Sequence, residues 1–173
     1  MAFPTETFYG LGAAALDAVA VRRVFEVKAR PESRPLLVLV DSALMAERLA
    51  ASLSVAARHL MARHWPGALT LVIPAATTVP RELTSGTATL GVRLSSHPVA
   101  TGLVTALGGP VTAPSANVSD EAPPTTAAAV LAYFDGTIAL VLDGGSTAGG
   151  PPSTVLDVTV EPPRVIRAGA VTV

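Results

Sequence analysis

The chain of 173 residues contains no cysteine, which excludes disulfides, thiolate nucleophiles and Cys-ligated metal sites. Aromatic residues are scarce (4%), charged residues make up only 14%, and the formal net charge is −1. This charge balance provides no global positive field that could hold a nucleic acid. The purest apolar run, Pro35 to Val40, ends at Asp41 and is far shorter than the ~20 residues of a membrane-spanning helix. With no signal-peptide pattern at the N-terminus, we expect a soluble, cytoplasmic protein.

The composition that remains is that of a folded domain. Half of the residues are hydrophobic, mostly Ala, Val and Leu, which excludes a disordered chain. The length suits one domain with a sizeable core, so we treat residues 1–173 as a single unit. Very little chain precedes Phe3, so we expect the first strand to be cut short there.

Short β-rich runs alternate with Ala-rich helical segments, which predicts an α/β fold with one mixed sheet. Asp17 is the expected N-cap of the first helix, which Pro31 limits because the residue before a proline avoids the helical region. The other predicted helices cover 42–52, 55–64, 97–107 and 125–133. Strands are predicted at 36–40, 69–73, 88–94, 111–113, 138–142, 154–158 and 165–166.

Several common catalytic motifs are missing. His59 and His64 are five residues apart, a poor spacing for one helix face, and no acidic pair accompanies them as in a metal-binding helix. The sequence has no nucleophile elbow, Walker lysine motif or dinucleotide fingerprint, and Gly10-Leu11-Gly12 alone is weak evidence. His97, next to Pro98, is interpreted as a helix-start residue.

Three cations stand together at the end of the first predicted helix. Lys28 is the only lysine of the chain, and Arg30 and Arg34 follow it. Such a cluster can simply complement the helix dipole, worth ~0.3–1 kcal/mol per charge. It can also form an anion pocket, in which a lysine acts as a point charge and arginines bind phosphate oxygens in a fork.

Two polar clusters accompany the cations. Thr5, Thr7 and Tyr9 provide hydroxyls beside a glycine turn, and Ser115 and Asn117 follow a predicted strand, where ligands of open α/β sheets tend to bind. Each cluster by itself is typical of the polar residues found in loops. Together with the cations they indicate a site for a phosphorylated, polar ligand with few groups suited to acid–base work.

The order of the motifs resembles that of the YrdC-domain family, the threonylcarbamoyl-AMP synthases. The first two are Phe3-Pro4-Thr5-Glu6-Thr7-Phe8-Tyr9-Gly10-Leu11-Gly12 and Lys28-Ala29-Arg30-Pro31 with Arg34-Pro35-Leu36. Next come His64-Trp65-Pro66-Gly67-Ala68-Leu69-Thr70, Gly91-Val92-Arg93-Leu94 and Ala113-Pro114-Ser115-Ala116-Asn117. Leu142-Asp143-Gly144-Gly145, Ser153-Thr154 and Pro162 to Gly169 complete the match. The resemblance covers essentially the whole chain and implies an open twisted α/β sheet around a large, positively lined cavity.

The resemblance also implies a reaction. L-Threonine and bicarbonate would give an N-carboxylated threonine, whose carboxylate attacks the α-phosphate of ATP, releasing pyrophosphate and leaving threonylcarbamoyl-AMP. A separate transferase complex would use that product to modify tRNA. Such chemistry asks mainly for positioning and charge stabilisation, and a magnesium ion would be held chiefly by ATP and water.

Site residues follow from the same resemblance by motif position. Those implied for L-threonine are Thr7, Arg93 and Ser153. Those implied for the nucleotide and its phosphates are Arg30, Arg34, Thr89, the Ala113 backbone, Ser115, Asn117 and Arg167. Lys28 is expected as an exposed cation beside the carboxylate and phosphate charges, with Lys28 and Arg30 the catalytic pair.

The sequence departs from the family pattern at several positions. Leu39 stands where many members have a histidine, which predicts the loss of a threonine contact. Pro123 and Pro152 replace other residues near the expected nucleotide and threonine sites, and the usual first N-terminal segment is expected to be absent. These departures leave open an alternative function, that of a nucleotide-binding module without full turnover. A second alternative is an RNA-binding module with weak tRNA or double-stranded RNA binding, because the resemblance implies a basic concave face.

Overall fold

A six-stranded mixed sheet dominates the computed structural model, which describes residues 1–173. The strands are β1 (Ala2–Pro4), β2 (Tyr9–Leu11), β3 (Leu37–Leu39), β4 (Leu69–Pro74), β5 (Thr89–Arg93), β6 (Val111–Thr112), β7 (Thr154–Asp157) and β8 (Arg164–Arg167). The helices are α1 (Ala18–Lys28), α2 (Ala43–Leu49), α3 (Val55–His64), α4 (Arg81–Thr84), α5 (Pro98–Leu107) and α6 (Ala127–Phe134). The sheet order is β6-β3-β5-β4-β7-β8, and β1 and β2 form a separate antiparallel pair. The predicted fold class is confirmed.

Parallel and antiparallel pairs alternate along the sheet. β3 runs parallel to β5 and β4 runs parallel to β7, whereas the other neighbours are antiparallel. None of the helices that connect these strands is long and apolar enough to cross a membrane.

The first helix is delimited as the sequence predicts. The Asp17 carboxylate accepts hydrogen bonds from the backbone N–H groups of Val19 and Ala20, two of the donors that a helix start leaves unpaired. Ala29 ends α1 in the left-handed conformation, with φ of 49°. This backbone reversal turns the chain into the loop that carries Arg30 and Arg34.

The two faces of the sheet differ in polarity because successive strand residues point to opposite sides. One face packs into the main core of 27 buried residues and carries Val38, Leu69, Leu71, Ile73, Leu90, Val92 and Leu156. The opposite face carries Leu37, Thr70, Val72, Thr89, Gly91, Arg93 and Val155, all of which border one cavity. A smaller buried cluster that includes Phe3, Leu39 and Ala100 lies beside it. The sheet therefore presents a half-polar floor to the cavity.

Some predicted elements are wrong or were missed. The segment 138–142 is not a strand, since only Val141 forms an isolated bridge, with Ala2. The short elements β2 and α4 were not predicted, because three or four residues are too few for a periodic signal. His97 is the N-cap of α5, and its Nδ1 accepts from the Val99 N–H, which confirms the helix-start interpretation.

Candidate active site

A cavity of about 750 Å³ opens over the polar face of the sheet. Its floor includes Gly91, where a Cβ would lie 3.3 Å from the Leu37 Cβ and 3.4 Å from the Thr70 Cγ2. Contacts of that length are tighter than normal packing allows without a shift of the neighbours. Because Gly91 has no side chain, the cavity extends down to the backbone of β5 between β3 and β4.

The charged side chains that line the cavity are all cationic. Most of the site residues implied by the resemblance border it: Thr7, Arg30, Arg34, Thr89, Arg93, Ala113, Ser115, Ser153 and Arg167. No aspartate or glutamate is among the lining residues. The cavity thus brings four arginines together without an opposing carboxylate on its surface, an arrangement suited to an anionic ligand.

Arg93 is the most deeply buried of these arginines. It ends β5, is 4% exposed, and its Nη1 lies 3.7 Å from the Glu6 Oε1. Burial lowers the pKa of Arg93, and Arg167 lowers it further, whereas Glu6 raises it. The Arg93 Nε has no hydrogen-bond partner but is itself fully buried, so a ligand in the cavity can reach only the Nη groups of this guanidinium.

Arg30 and Arg34 form a second cationic pair in the loop after α1. Arg30 donates to the main-chain carbonyls of Arg34, at 3.0 Å, and Pro35, at 3.1 Å. Burial and the neighbouring Arg34 lower the pKa of Arg30. Arg34 itself pairs with the exposed Asp120 at 3.3 Å, a type of surface ion pair that contributes little. The loop carbonyls therefore hold Arg30 in place, and its charge is not neutralised by a buried acid.

Ser153 lies in a compact polar group with Thr70 and Arg167. Its Oγ is 2.9 Å from the Thr70 Oγ1, and the Arg167 Nη2 donates to the Ser153 carbonyl at 2.7 Å and to its Oγ at 3.2 Å. Gly169 permits this packing, because a Cβ there would lie 2.2 Å from the Pro152 carbonyl oxygen. The group places two hydroxyls and one guanidinium at the border of the cavity.

The hydroxyls near the glycine turn differ in their availability. The Thr5 and Thr7 hydroxyls are 3.2 Å apart, and Thr5 also donates to the Phe8 carbonyl. The Tyr9 hydroxyl donates to the Gly145 carbonyl at 2.7 Å. Tyr9 thus ties the loop after residue 142 to β2, and Thr5, Thr7 and Tyr9 all border the cavity.

Lys28 and Asn117 do not line the cavity. Lys28 is 2% exposed, and its ammonium donates to the carbonyls of Ser115 and Asn117, each at 2.5 Å. The Asn117 Nδ2 donates to the carbonyls of Val118 and Glu121. The expectation of an exposed Lys28 is therefore wrong, because its ammonium is buried on two loop carbonyls. Both side chains hold the loop that carries Ser115.

The interpretation of Leu39 as a wall of the threonine site is also wrong. Leu39 is fully buried with Phe3, Ala100 and Val104 and does not border the cavity. Pro123 and Pro152 do border it. On β3, the residue that reaches the cavity is Leu37, two positions earlier on the same face.

Sequence reasoning missed Thr70 and Glu6. Thr70 is the one polar residue in the apolar run of β4, and its position between Leu69 and Leu71 places it on the opposite face from them. That alternation is a signal that could have identified it. Glu6 gives no such signal, because its relation to Arg93 arises only when the β1–β2 segment folds against the end of β5.

The fold and this cavity define an α/β protein with an arginine-rich pocket for an anionic ligand. The chain belongs to the Sua5/YciO/YrdC family, whose model, described as "Telomere recombination", matches residues 1–169.

Similar proteins are found in archaea and bacteria. The chain is 46% identical over 169 residues to the threonylcarbamoyl-AMP synthase of Pyrococcus abyssi, covering 98% of this chain and 50% of that protein. It is 42% identical over 173 residues to the enzyme of the same name from Bacillus subtilis, covering 99% and 50%. The crystal structure of P. abyssi Sua5 complexed with L-threonine matches with a TM-score of 0.95 at 46% identity, covering 97% of this chain and 49% of that one. The chain therefore spans about half the length of these relatives.

Proposed function

We propose that this chain is an L-threonylcarbamoyladenylate synthase that uses L-threonine, bicarbonate and ATP. The observation that carries the proposal is the cavity of about 750 Å³ with four arginines and no lining carboxylate. Three substrates that each carry an anionic group would meet there, and the relatives named threonylcarbamoyl-AMP synthase support this choice among anion-binding functions.

The proposed reaction has two steps. The neutral amine of threonine adds to the carbon of bicarbonate, and water leaves, which gives a carbamate. A carbamate oxygen then forms a bond to the α-phosphorus of ATP, while the bond to the bridging oxygen breaks and its electron pair leaves with pyrophosphate. The protein needs no covalent nucleophile for either step, only groups that position the reactants and stabilise charge.

We assign the four arginines of the cavity to different substrates. Arg93 would receive the α-carboxylate of threonine through its Nη groups, with Thr7 and Ser153 beside it. Arg30 and Arg34 would face the nucleotide phosphates, together with Thr89, Ser115 and Arg167 at the border of the cavity. Arginine binds carboxylate and phosphate oxygens in a bidentate manner, so it suits both tasks.

The use of ATP implies a magnesium ion on its phosphates. No group of three or more acidic or histidine side chains lies close enough together to hold one. Magnesium would therefore enter as the counter-ion of ATP, bound by phosphate oxygens and water as this ion prefers.

Pyrophosphate release measured with all three substrates tests the proposal. We expect release only when L-threonine, bicarbonate and ATP are present together, with threonylcarbamoyl-AMP detected by mass spectrometry. Pyrophosphate release that is independent of threonine, or binding of ATP without turnover, would contradict it. The second outcome would instead support a nucleotide-binding module.

The product determines the kind of partner. A mixed anhydride of a carbamic acid and AMP is an activated acyl donor, so a transferase that modifies tRNA would consume it, in the cytoplasm. The net charge of −1 argues against strong RNA binding by this chain itself, because phosphate contacts dominate such affinity.

A further inference from the structure

The carboxylate of Glu6 lies behind Arg93, outside the cavity lining. Its side chain is 17% exposed, and its Oε1 is 3.7 Å from the Arg93 Nη1. Charge-assisted hydrogen bonds between such groups are ~2.7–2.9 Å long. The two groups therefore attract each other through their charges without a hydrogen bond at this pair of atoms.

Both partners of this pair keep an unused polar atom. The Glu6 Oε1 and the Arg93 Nε are buried and have no hydrogen-bond partner. A buried arginine normally needs its donors satisfied. The Arg93 side chain thus borders the cavity with a guanidinium that is only loosely paired with the Glu6 carboxylate, which leaves its Nη groups able to donate to a ligand.

Glu6 is itself held by the turn that follows β5. The Ser95 Oγ donates to the Glu6 Oε2, and the same Oγ accepts from the His97 N–H at 3.1 Å. This anchor lies two residues after Arg93 in the chain. The carboxylate and the guanidinium are therefore fixed to the same end of the sheet.

The other arginines of the cavity lack such a partner. Arg30 donates to main-chain carbonyls, Arg167 to Ser153, and Arg34 pairs only with the exposed Asp120. The charge of the cavity is therefore uneven. Glu6 and Arg93 sum to zero before any ligand binds, whereas Arg30 and Arg34 keep a net positive charge.

We propose that Glu6 is a positioning and specificity-determining residue. It makes the Arg93 end of the cavity bind a singly charged carboxylate in preference to multiply charged phosphates. This inference rests on the proposed function, which places the threonine carboxylate at Arg93. Glu6 lowers the net charge seen by a ligand without taking a hydrogen bond from the Arg93 Nη groups, so a monocarboxylate gains a hydrogen bond while a dianion gains too little electrostatic energy. The phosphates of ATP are thereby directed to Arg30 and Arg34.

The Glu6→Gln variant separates charge from structure. Glutamine has the same shape and can still accept from the Ser95 Oγ, so only the negative charge is lost. The probe is sulfate, which carries two charges. Calorimetric titration of L-threonine without nucleotide, at several sulfate concentrations and constant ionic strength kept with sodium chloride, yields the inhibition constant of sulfate at the threonine site.

We expect the sulfate inhibition constant, relative to the threonine Kd, to fall by about tenfold or more in Glu6→Gln, because one unit charge within a few ångströms acts more strongly on a dianion than on a monoanion. Glu82→Gln is the matched control, since Glu82 pairs with Arg22 at 2.5 Å outside the cavity. That control should keep the wild-type ratio. Glu6→Asp retains the charge at a longer distance from Arg93, so its ratio of sulfate inhibition constant to threonine Kd should lie between those of wild type and Glu6→Gln.

An unchanged ratio in folded Glu6→Gln, with folding checked by circular dichroism, would overturn the assignment of Glu6. If that variant does not fold, an unchanged ratio in folded Glu6→Ala, which also removes the charge, would overturn it equally. Failure of the wild-type chain to bind L-threonine would instead overturn the proposed function. A lowered sulfate inhibition constant with intact threonine binding supports both.

Discussion

The ammonium of Lys28 donates a 2.5 Å hydrogen bond to the main-chain carbonyl of Ser115. This bond joins the last residue of α1 to the loop that borders the cavity. The chain's only lysine therefore shapes the site through the backbone of another segment, from a position that is 2% exposed. Its effect on ligand binding would be mediated by the position of Ser115.

Replacing Lys28 with methionine should lower the free energy of unfolding by about 2–4 kcal/mol, because two buried carbonyls lose their donor. Urea denaturation at pH 7 measures this loss. Arg23→Met, a change in the exposed Arg23 of the same helix, should stay within about 0.5 kcal/mol of wild type. A loss of that small size in Lys28→Met would show that the two carbonyls find other partners.

The stability of the wild-type chain should also depend on pH through Lys28. Burial, and secondarily Arg30, lower the pKa of Lys28 from 10.5 to about 8. The native chain then binds fewer protons than the unfolded chain between these two values, so its free energy of unfolding rises with pH in that window. Relative to Lys28→Met, wild type should gain about 2–3 kcal/mol between pH 7 and pH 10. A difference that is constant over this range would contradict the shift.

Arg93→Ala should raise the KM for L-threonine by at least about tenfold and change the KM for ATP much less, because the carboxylate loses its charged donor. The single variant also leaves Glu6 buried without a countercharge and should be unstable. The double variant Glu6→Gln with Arg93→Ala removes that carboxylate and should recover stability without recovering threonine affinity. Equal weakening of both substrates would place Arg93 elsewhere in the mechanism.

Thr70→Val tests whether the hydrogen bond between the Thr70 and Ser153 hydroxyls contributes to threonine binding. The variant keeps the shape of the side chain and removes the partner that lies 2.9 Å from the Ser153 Oγ. A lost neutral hydrogen bond of about 1 kcal/mol corresponds to a roughly fivefold higher threonine KM. Thr70→Ser should retain the wild-type value, as should Thr137→Val on the exposed surface. Similar losses in the valine and serine variants would indicate a packing effect instead.

Leu39→His should destabilise the fold without tightening threonine binding. Leu39 is fully buried against Phe3 and Val104, and an imidazole there would lack hydrogen-bond partners and fit poorly. The expected cost is about 2–4 kcal/mol of unfolding free energy. Thermal denaturation together with threonine calorimetry checks both parts. Tighter threonine binding at unchanged stability would show that residue 39 lines the threonine site.

Local sequence determined the elements whose signals lie within a few residues. Asp17 and Pro31 delimit α1 because a capping carboxylate and a proline act on the adjacent backbone. The alternation in β4 and β5 assigns Leu90 and Val92 to the core and leaves Arg93 on the other face, since side chains in a strand alternate strictly. The order of the short motifs was enough to indicate the family, and most of the site residues implied by it do border the cavity.

Only the tertiary structure decided what these residues contact. The sequence contains no signal that pairs Glu6 with Arg93 or Thr70 with Ser153, because 83 or more residues separate each pair in the chain. Lys28 and Leu39 were misplaced for the same reason: the exposure of a side chain depends on which distant segments pack over it. Burial and charge pairing are properties of the folded chain, and they give each of these positions its role.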